Sequence, residues 1–460
     1  YAAEKSTLSS LNGDYLGQIG FDNALEDYLT WGNNKKKIRV WLQEGAQLED
    51  AGTDLQAFSG KARFNNHFHN PLKPWAKAGL DDIIVIPNPN PPLIIRSTGE
   101  SALLWAQDKA NQQGYSESEG LEGDQTWQTI RYYFYNALTG KTDLERQGYF
   151  AQTFKGLGHQ IHLIQDMAVP AHARNDAHPE DSFLKINYLT GDYYFETWAK
   201  NYSPIINAFA AKPVMPEVEL TKKDYFVPIT QFYDTDQYNE GFVPSTSLTW
   251  GLAEYTNANF VSDGTIFTEQ FNKDDRHYFP YPRYTGYTQC YEQYEEPYLS
   301  TIKWRKYWRK KAGGCAGEAV EHFVQVEPWF KWLPTWDLQR RAIYIDKATH
   351  KDYAEKLVPR AVGYSAALLD YFFRGDIRLE YAASPQPGYV IVNKTAEDMD
   401  GLFQIFYDNK NDQRIKFMSW TSSIKANEKG DIFDITQPVD AREPGKYILV
   451  FKGNMGNEKG

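Results

Sequence analysis

Between His159 and His172 the chain sets metal-type ligands at helical spacing and then interrupts the helix: His159-Gln-Ile-His162-Leu-Ile-Gln-Asp166-Met-Ala-Val-Pro170-Ala-His172. His162 and Asp166 lie four residues apart and share one helix face. Pro170 disfavours a helical Val169 and removes a backbone donor, so the chain must turn there and present His172 from another direction. Three ligands can thus converge from one short segment. Further on, Asp192-Tyr-Tyr-Phe-Glu196 repeats the i, i+4 spacing with two carboxylates, and upstream Asn66-His67-Phe68-His69 adds two imidazoles. Six of the nine histidines (His67, His69, His159, His162, His172, His178) fall in about a quarter of the chain, a clustering that argues against independent packing roles. Nitrogen and carboxylate donors with almost no thiols suit zinc, or another borderline divalent ion, bound for catalysis.

These residues resemble the zinc-dependent phospholipases C and the related single-strand nucleases, in a bacterial branch. The signature His-x3-Asp-x5-His is met by His162, Asp166 and His172, and a downstream ligand-x3-Glu pair by Asp192 and Glu196. An upstream Asp before a His-Phe is matched by Glu49-Asp50 and His67-Phe68, with Asp50 favoured over Glu49. The likeness extends through Leu252 to Phe260 and Ala361 to Arg374, and so covers roughly residues 1–375. It implies one zinc held by Asp50, His67, His162 and Asp166 and a second by His172, Asp192 and Glu196. A third family ion, held by an N-terminal residue and a nearby histidine, has no counterpart before His67, so two ions are expected unless an upstream segment supplies more. Asp192 stands where well-known members carry histidine, and His178 is the alternative ligand.

The implied reaction is hydrolysis of a phosphodiester. Bound zinc lowers the pKa of its water to about 7 and polarises phosphoryl oxygens, and a pair of ions can clamp attacking and leaving oxygens. Asp166 would bridge ions, and Asp50 would both bind metal and accept a proton from the attacking water. Phospholipid or a small phosphodiester is the expected substrate. A single-strand nuclease is the alternative, and a non-catalytic, metal-stabilised surface or binding protein the reading from another class. His159 and His69 are expected behind the ligands rather than among them. Arg174 and Asn175 are placed either against a phosphate or in surface salt bridges.

The elements that must position these groups are legible in outline. With 460 residues the chain can hold two or three domains around a large core. The apolar spacing predicts a mainly α fold: a multi-helical domain over residues 1–375 and a small β-sandwich-like accessory domain over 376–460. Helical periodicity runs through the first 50 residues, and helices are expected at Ser101 to Gln113, Thr126 to Leu138, Thr142 to Gln165 and Leu357 to Phe373. Pro87-Asn-Pro-Asn-Pro-Pro92 is an extended loop. Residues 212–244, rich in proline and aromatics, read as irregular. Tyrosines around His277 to Tyr291 can cradle a cationic headgroup or stack a base, but such residues mostly pack.

A net charge of −11 argues against a basic nucleic-acid surface, so no stable nucleic-acid partner is expected. No run of 18 or more apolar residues is present, leaving peripheral membrane contact as the membrane role open to it. Secretion or a periplasmic location follows from the resemblance. Cys290 and Cys315 allow a disulfide in an exported chain, or two buried thiols otherwise. Glu397-Asp-Met-Asp400 is read as a solvated turn before a calcium site. Nothing indicates the oligomeric state.

Overall fold

The computed structural model describes residues 17, 19, 21, 23–52, 56, 61–86, 93–116, 120–178, 194–221, 226–239, 243–283, 290–298, 303–311, 317–326, 343–384, 386–436 and 438–460. At its centre, helix α1 (Ile38–Glu49) crosses helix α2 (Asp143–Asp166). Thr142 and Glu145 close a capping box at the start of α2, which satisfies the orphan amides there and fixes where its 24 residues begin. The crossing is close because glycines face each other. A Cβ on Gly45 would lie 1.9 Å from Lys155 O, and one on Gly158 2.1 Å from Leu42 O. Both helices therefore end side by side, with Asp50 just past one terminus and Asp166 at the other.

The fold is a mixed α/β one rather than mainly α, with 36% helix, 24% strand and five small sheets among the described residues. The first correction is local. Tyr28–Trp31 and Asn34–Lys37 form an antiparallel hairpin, because Gly32 takes φ +58° in the turn and Leu29 turns inward as a strand residue rather than extending a helix. The larger correction is a four-stranded sheet of Tyr291–Tyr298, Lys303–Lys310, Val320–Val326 and Ile343–Tyr344. Tyr294 pairs with Tyr307 and Glu292 with Arg309 across two of its strands, and because these positions are two apart on each strand the aromatic and charged pairs share one face. With aromatic and charged residues mixed on both faces, these strands lack the apolar–polar alternation that marks a strand in sequence.

Other expectations shift less. The helix expected at Ser101 to Gln113 is two single turns, Ala102–Trp105 and Lys109–Gln112, the second capped by Asp108. The late helix starts earlier than expected, at Lys347, because Asp346 caps Ala348 and Thr349, and it runs to Phe372. Proline-rich residues 87–92 lie outside the described residues, between paired strands Asp81–Ile86 and Leu93–Thr98.

Beyond Phe372 two three-stranded antiparallel sheets face each other. One is Lys429–Phe433, Gly388–Asn393 and Ile377–Ala382; the other is Arg414–Ile424, Met399–Asp408 and Tyr447–Met455. Ile391, Met399, Phe403 and Ile424 form a core between them, separate from the main one. Glu458 fastens this part to the helices. Its carboxylate accepts from Trp127 Nε1 (2.8 Å), Arg131 Nε (2.9 Å) and Arg374 Nη1 (2.8 Å). Glu397 is taken by Arg374 (2.6 Å) and Asp398 by Lys425 (2.7 Å). Cys290 is disulfide-bonded, and Cys315 lies outside the described residues. No helix among the described residues is long and apolar enough to cross a membrane.

Candidate metal centre

His162 and Asp166 close α2 on one face, as their spacing requires. Met167 and Ala168 tighten the last turn, and Val169 (φ −92°, ψ 117°) leaves the helix, so Pro170 opens a new short helix, Pro170–Ala173. That turn swings His172 back over Asp166. Its ring stacks on Phe68 (centroids 4.5 Å apart) and its Nδ1 lies 3.1 Å from His67 O, while His69 N donates to His172 O at 3.0 Å. The His67-Phe68-His69 segment thus clamps His172 through backbone and ring contacts.

Four ligand atoms meet at the helix ends. His67 Nδ1 lies 2.9 Å from Asp166 Oδ2 and 3.6 Å from Asp50 Oδ1. His162 Nε2 lies 3.2 Å from Asp166 Oδ2 and 3.3 Å from Asp50 Oδ1. These four separations, 2.9 to 3.6 Å, are within the range at which neighbouring atoms can share a metal ion. His67 Nδ1 and Asp166 Oδ2 are buried and make no hydrogen bond, although they are 2.9 Å apart. The pair therefore lacks hydrogen-bond geometry, and each side chain keeps a buried polar atom that a cation could satisfy.

A second group adjoins the first. His172 Nε2 stands 3.3 Å from His178 Nε2 and 3.5 Å from Glu196 Oε1, and His178 Nε2 lies 2.6 Å from Glu196 Oε2. Each of these histidines directs Nδ1 at a backbone carbonyl, His67 O or Asp176 O, which leaves both Nε2 atoms facing the carboxylate. Buried His, Asp and Glu groups within metal-binding distance are thus present: Asp50, His67 and His162; His67, Asp166 and His172; and His172, His178 and Glu196. Asp192 lies outside the described residues, and the structure brings His178 beside His172 and Glu196.

The charges are strongly perturbed. Burial disfavours the imidazolium at His67, but Asp166 and Glu49 outweigh it and carry its pKa up to about 9. The same contest, with Glu196 as partner, takes His178 to about 9. Burial opposes ionisation of Glu196, yet His172 and His178 hold it down to about 2. Asp166 is driven far below the carboxylate range by three imidazoles against the cost of burial.

His178 is placed by a pinned loop. Arg174 is buried and donates to Thr265 Oγ1 (2.6 Å), Asn257 O (2.7 Å) and Tyr281 O (3.0 Å), so it holds the scaffold together and is aimed at neither a phosphate nor a surface carboxylate. Asn175 takes φ +49°, a left-handed conformation that Asn tolerates, and binds Gly79 O at 2.7 Å. Asp176 accepts from Gly264 N and Asp82 from Ala177 N, each at 2.9 Å. Behind the ligands, His69 lies between Ser101 Oγ (2.7 Å) and Asp234 Oδ2 (2.9 Å). His159 Nδ1 meets Glu49 Oε2 at 2.5 Å. Sequence reasoning missed the rest of that buried network, Glu49 with Arg63 and Trp105, whose one visible trace was a second acid directly before Asp50.

Beside His178 and Glu196 opens a recess of about 150 Å³, walled by Val169, Phe195, Val261 and Ile345 with Asp176 and Asp263 at its edge. Among the described residues that line it there is no Lys or Arg. The described residues of the tyrosine-rich stretch are not among those lining this wall; Phe279 packs under Arg174 (3.9 Å), and residues 284–289 lie outside the described residues. Comparison of the chain with protein-family models, with curated proteins and with solved structures finds no match in any of the three, so the chemistry of this centre rests on its own geometry.

Proposed function

We propose that the chain is a zinc-dependent phosphodiesterase of the phospholipase C type, acting on a phospholipid or small phosphodiester in a secreted or periplasmic setting. The observation that carries this reading is the convergence of His67 Nδ1, Asp50 Oδ1, His162 Nε2 and Asp166 Oδ2, at 2.9 to 3.6 Å along four of their separations, with two of these atoms buried and unbonded. Zinc suits a donor set of imidazoles and carboxylates better than calcium or magnesium, which prefer oxygen alone. Asp50, His67, His162 and Asp166 would hold one ion, and His172, His178 and Glu196 a second.

When bound, such ions polarise phosphoryl oxygens and lower the pKa of water. The chain supplies the rest. Asp50 alone among the first four ligands is well exposed, its side chain 60% open to solvent, so it can accept the proton of an attacking water and pass it outward. Asp166 fixes the positions of His67, His162 and His172 around one oxygen. The recess beside Glu196 takes the group attached to phosphorus, and its mostly apolar wall excludes water from that side. Cleavage gives a phosphomonoester and an alcohol.

A single-strand nuclease uses the same metal chemistry, but an acid-edged recess without Lys or Arg in its described lining disfavours a polyanion. Metal analysis of the isolated protein, followed by zinc-supplemented hydrolysis of phospholipid vesicles, tests the proposal. Two zinc ions per chain and zinc-dependent release of phosphorylated headgroup are expected. A chain that binds zinc but hydrolyses no phosphodiester is a binding protein.

A further inference from the structure

The second acid at the end of α1, Glu49, is fully buried and already committed. Its Oε2 accepts from Arg63 Nε (3.1 Å), Arg63 Nη2 (2.7 Å) and His159 Nδ1 (2.5 Å), and its Oε1 accepts from Trp105 Nε1 (2.7 Å). Arg63 is in turn fixed by Gly123 O (2.8 Å), Leu121 O (3.2 Å) and Gln112 Oε1 (3.3 Å). A carboxylate so occupied has no free direction for a metal. One face of Oε1 remains, and it looks at His67 Nε2, 3.6 Å away.

His67 thus stands between two different acids. Nε2 faces Glu49, and Nδ1 faces Asp166 and Asp50. Neither nitrogen makes a hydrogen bond of good geometry within the protein, and the ring is wholly buried. A neutral imidazole carries one proton, and an immobile carboxylate on the Nε2 side favours that proton there. We propose that Glu49, though not a ligand, is the positioning residue of the centre: it holds the His67 proton on Nε2 and so commits His67 to bind metal through Nδ1. The assignment rests on the metal-site reading of the previous section. It sets His67 apart from His162, His172 and His178, whose Nε2 atoms face the other ligands. It also gives the Arg63, Trp105 and His159 contacts a common purpose, since each restrains the carboxylate in rotation.

The test uses the whole chain loaded with zinc and labelled with 15N at histidine. Long-range 15N–1H spectra distinguish a ring bound through Nδ1 from one bound through Nε2, and the His67 signals are those lost in His67→Gln. Bound Nδ1 with protonated Nε2 is expected for His67. Glu49→Gln, which keeps the shape and removes the charge, is expected to weaken one zinc site about 10- to 100-fold and leave the other unchanged, as loss of an outer carboxylate does. A His67 ring bound through Nε2, or two sites of unaltered affinity in a folded Glu49→Gln protein, overturns the assignment. If that variant does not fold, the spectrum of the unmodified protein decides alone. Absence of zinc binding in the unmodified protein overturns the metal reading itself.

Discussion

Gly45 and Gly158 meet where α1 crosses α2: a Cβ added to Gly158 would come within 3.0 Å of the Gly45 Cα and 2.1 Å of Leu42 O. The atoms in the way are backbone, which cannot rotate aside. Gly158→Ala must therefore separate two helices whose ends carry Asp50 on one side and His162 and Asp166 on the other. Overpacking of this kind costs about 1–3 kcal/mol, and the upper end is expected here. Thermal unfolding should register that loss, and zinc titration a weaker first site. Unchanged zinc affinity would show that the crossing does not set the ligand spacing.

Asp166 faces His67, His162 and His172 through one oxygen. Asp166→Asn keeps the volume but removes the charge and half the acceptor capacity. Its effect should exceed the roughly 100-fold typical of outer-shell changes in zinc affinity, with hydrolysis falling in step. Dialysis against a chelator should give the same inactive state in the unmodified protein, and added zinc should restore that protein but not the variant.

The part of this centre legible in the sequence was the part set by local spacing. His162 and Asp166 needed only the helical repeat, and Pro170 announced the turn that brings His172 round. His178 was visible only as an alternative to Asp192, because its position depends on Arg174, Asn175 and Asp176 each finding a partner from distant segments. Asp50 was favoured over Glu49 as the ligand on the resemblance, but nothing in the sequence told what Glu49 does instead. Their opposite roles follow from burial, since Arg63 and Trp105 enclose Glu49 while Asp50 is the residue past the helix end. The sheet at residues 291–344 escaped notice because aromatic and charged residues share its faces, which leaves no apolar–polar alternation to read.

Zinc uptake should release protons. Nearby carboxylates raise His67 and His178 to about 9 and His162 well above its usual value, so all three rings are protonated at pH 7 and must lose a proton to bind metal. Because a raised histidine pKa stabilises the metal-free fold below about pH 6.5 and ceases to do so as pH rises through about 9, zinc competes best at the upper end of that range. Calorimetry in buffers of different ionisation enthalpy should find about three protons released at pH 7 and fewer as pH approaches 9. No release at pH 7 would mean that the rings are neutral before metal arrives.

Acid should loosen the C-terminal sheets from the helices. Burial opposes ionisation of Glu458, but Arg131, Arg374 and the Trp127 indole draw its pKa down to about 2. A depressed carboxyl contributes stability above its unfolded value of about 4.3 and loses it as pH falls toward 2, here about 3 kcal/mol at most. Glu458→Gln should lower stability at pH 7 and flatten the pH dependence between about 4.5 and 2. Limited proteolysis between Phe372 and Ile377 gives an independent readout. Equal acid sensitivity in both proteins would assign the transition to other carboxylates.

Substrate preference follows from charge as much as from metal. A polynucleotide needs cations along its track, whereas the chain carries a net −11 and the described lining of its recess holds Asp176 and Asp263 without Lys or Arg. A single phosphodiester with a neutral or cationic substituent makes no such demand. Hydrolysis of phospholipid or a small phosphodiester should therefore exceed that of single-stranded DNA in matched zinc-supplemented assays. Its KM should change little between 50 and 200 mM salt, a range over which binding that rests on many phosphate contacts weakens by orders of magnitude. A higher rate on single-stranded DNA with a steep salt slope would move the assignment to the nuclease branch. Local charge at the zinc ions would then outweigh the field of the whole chain.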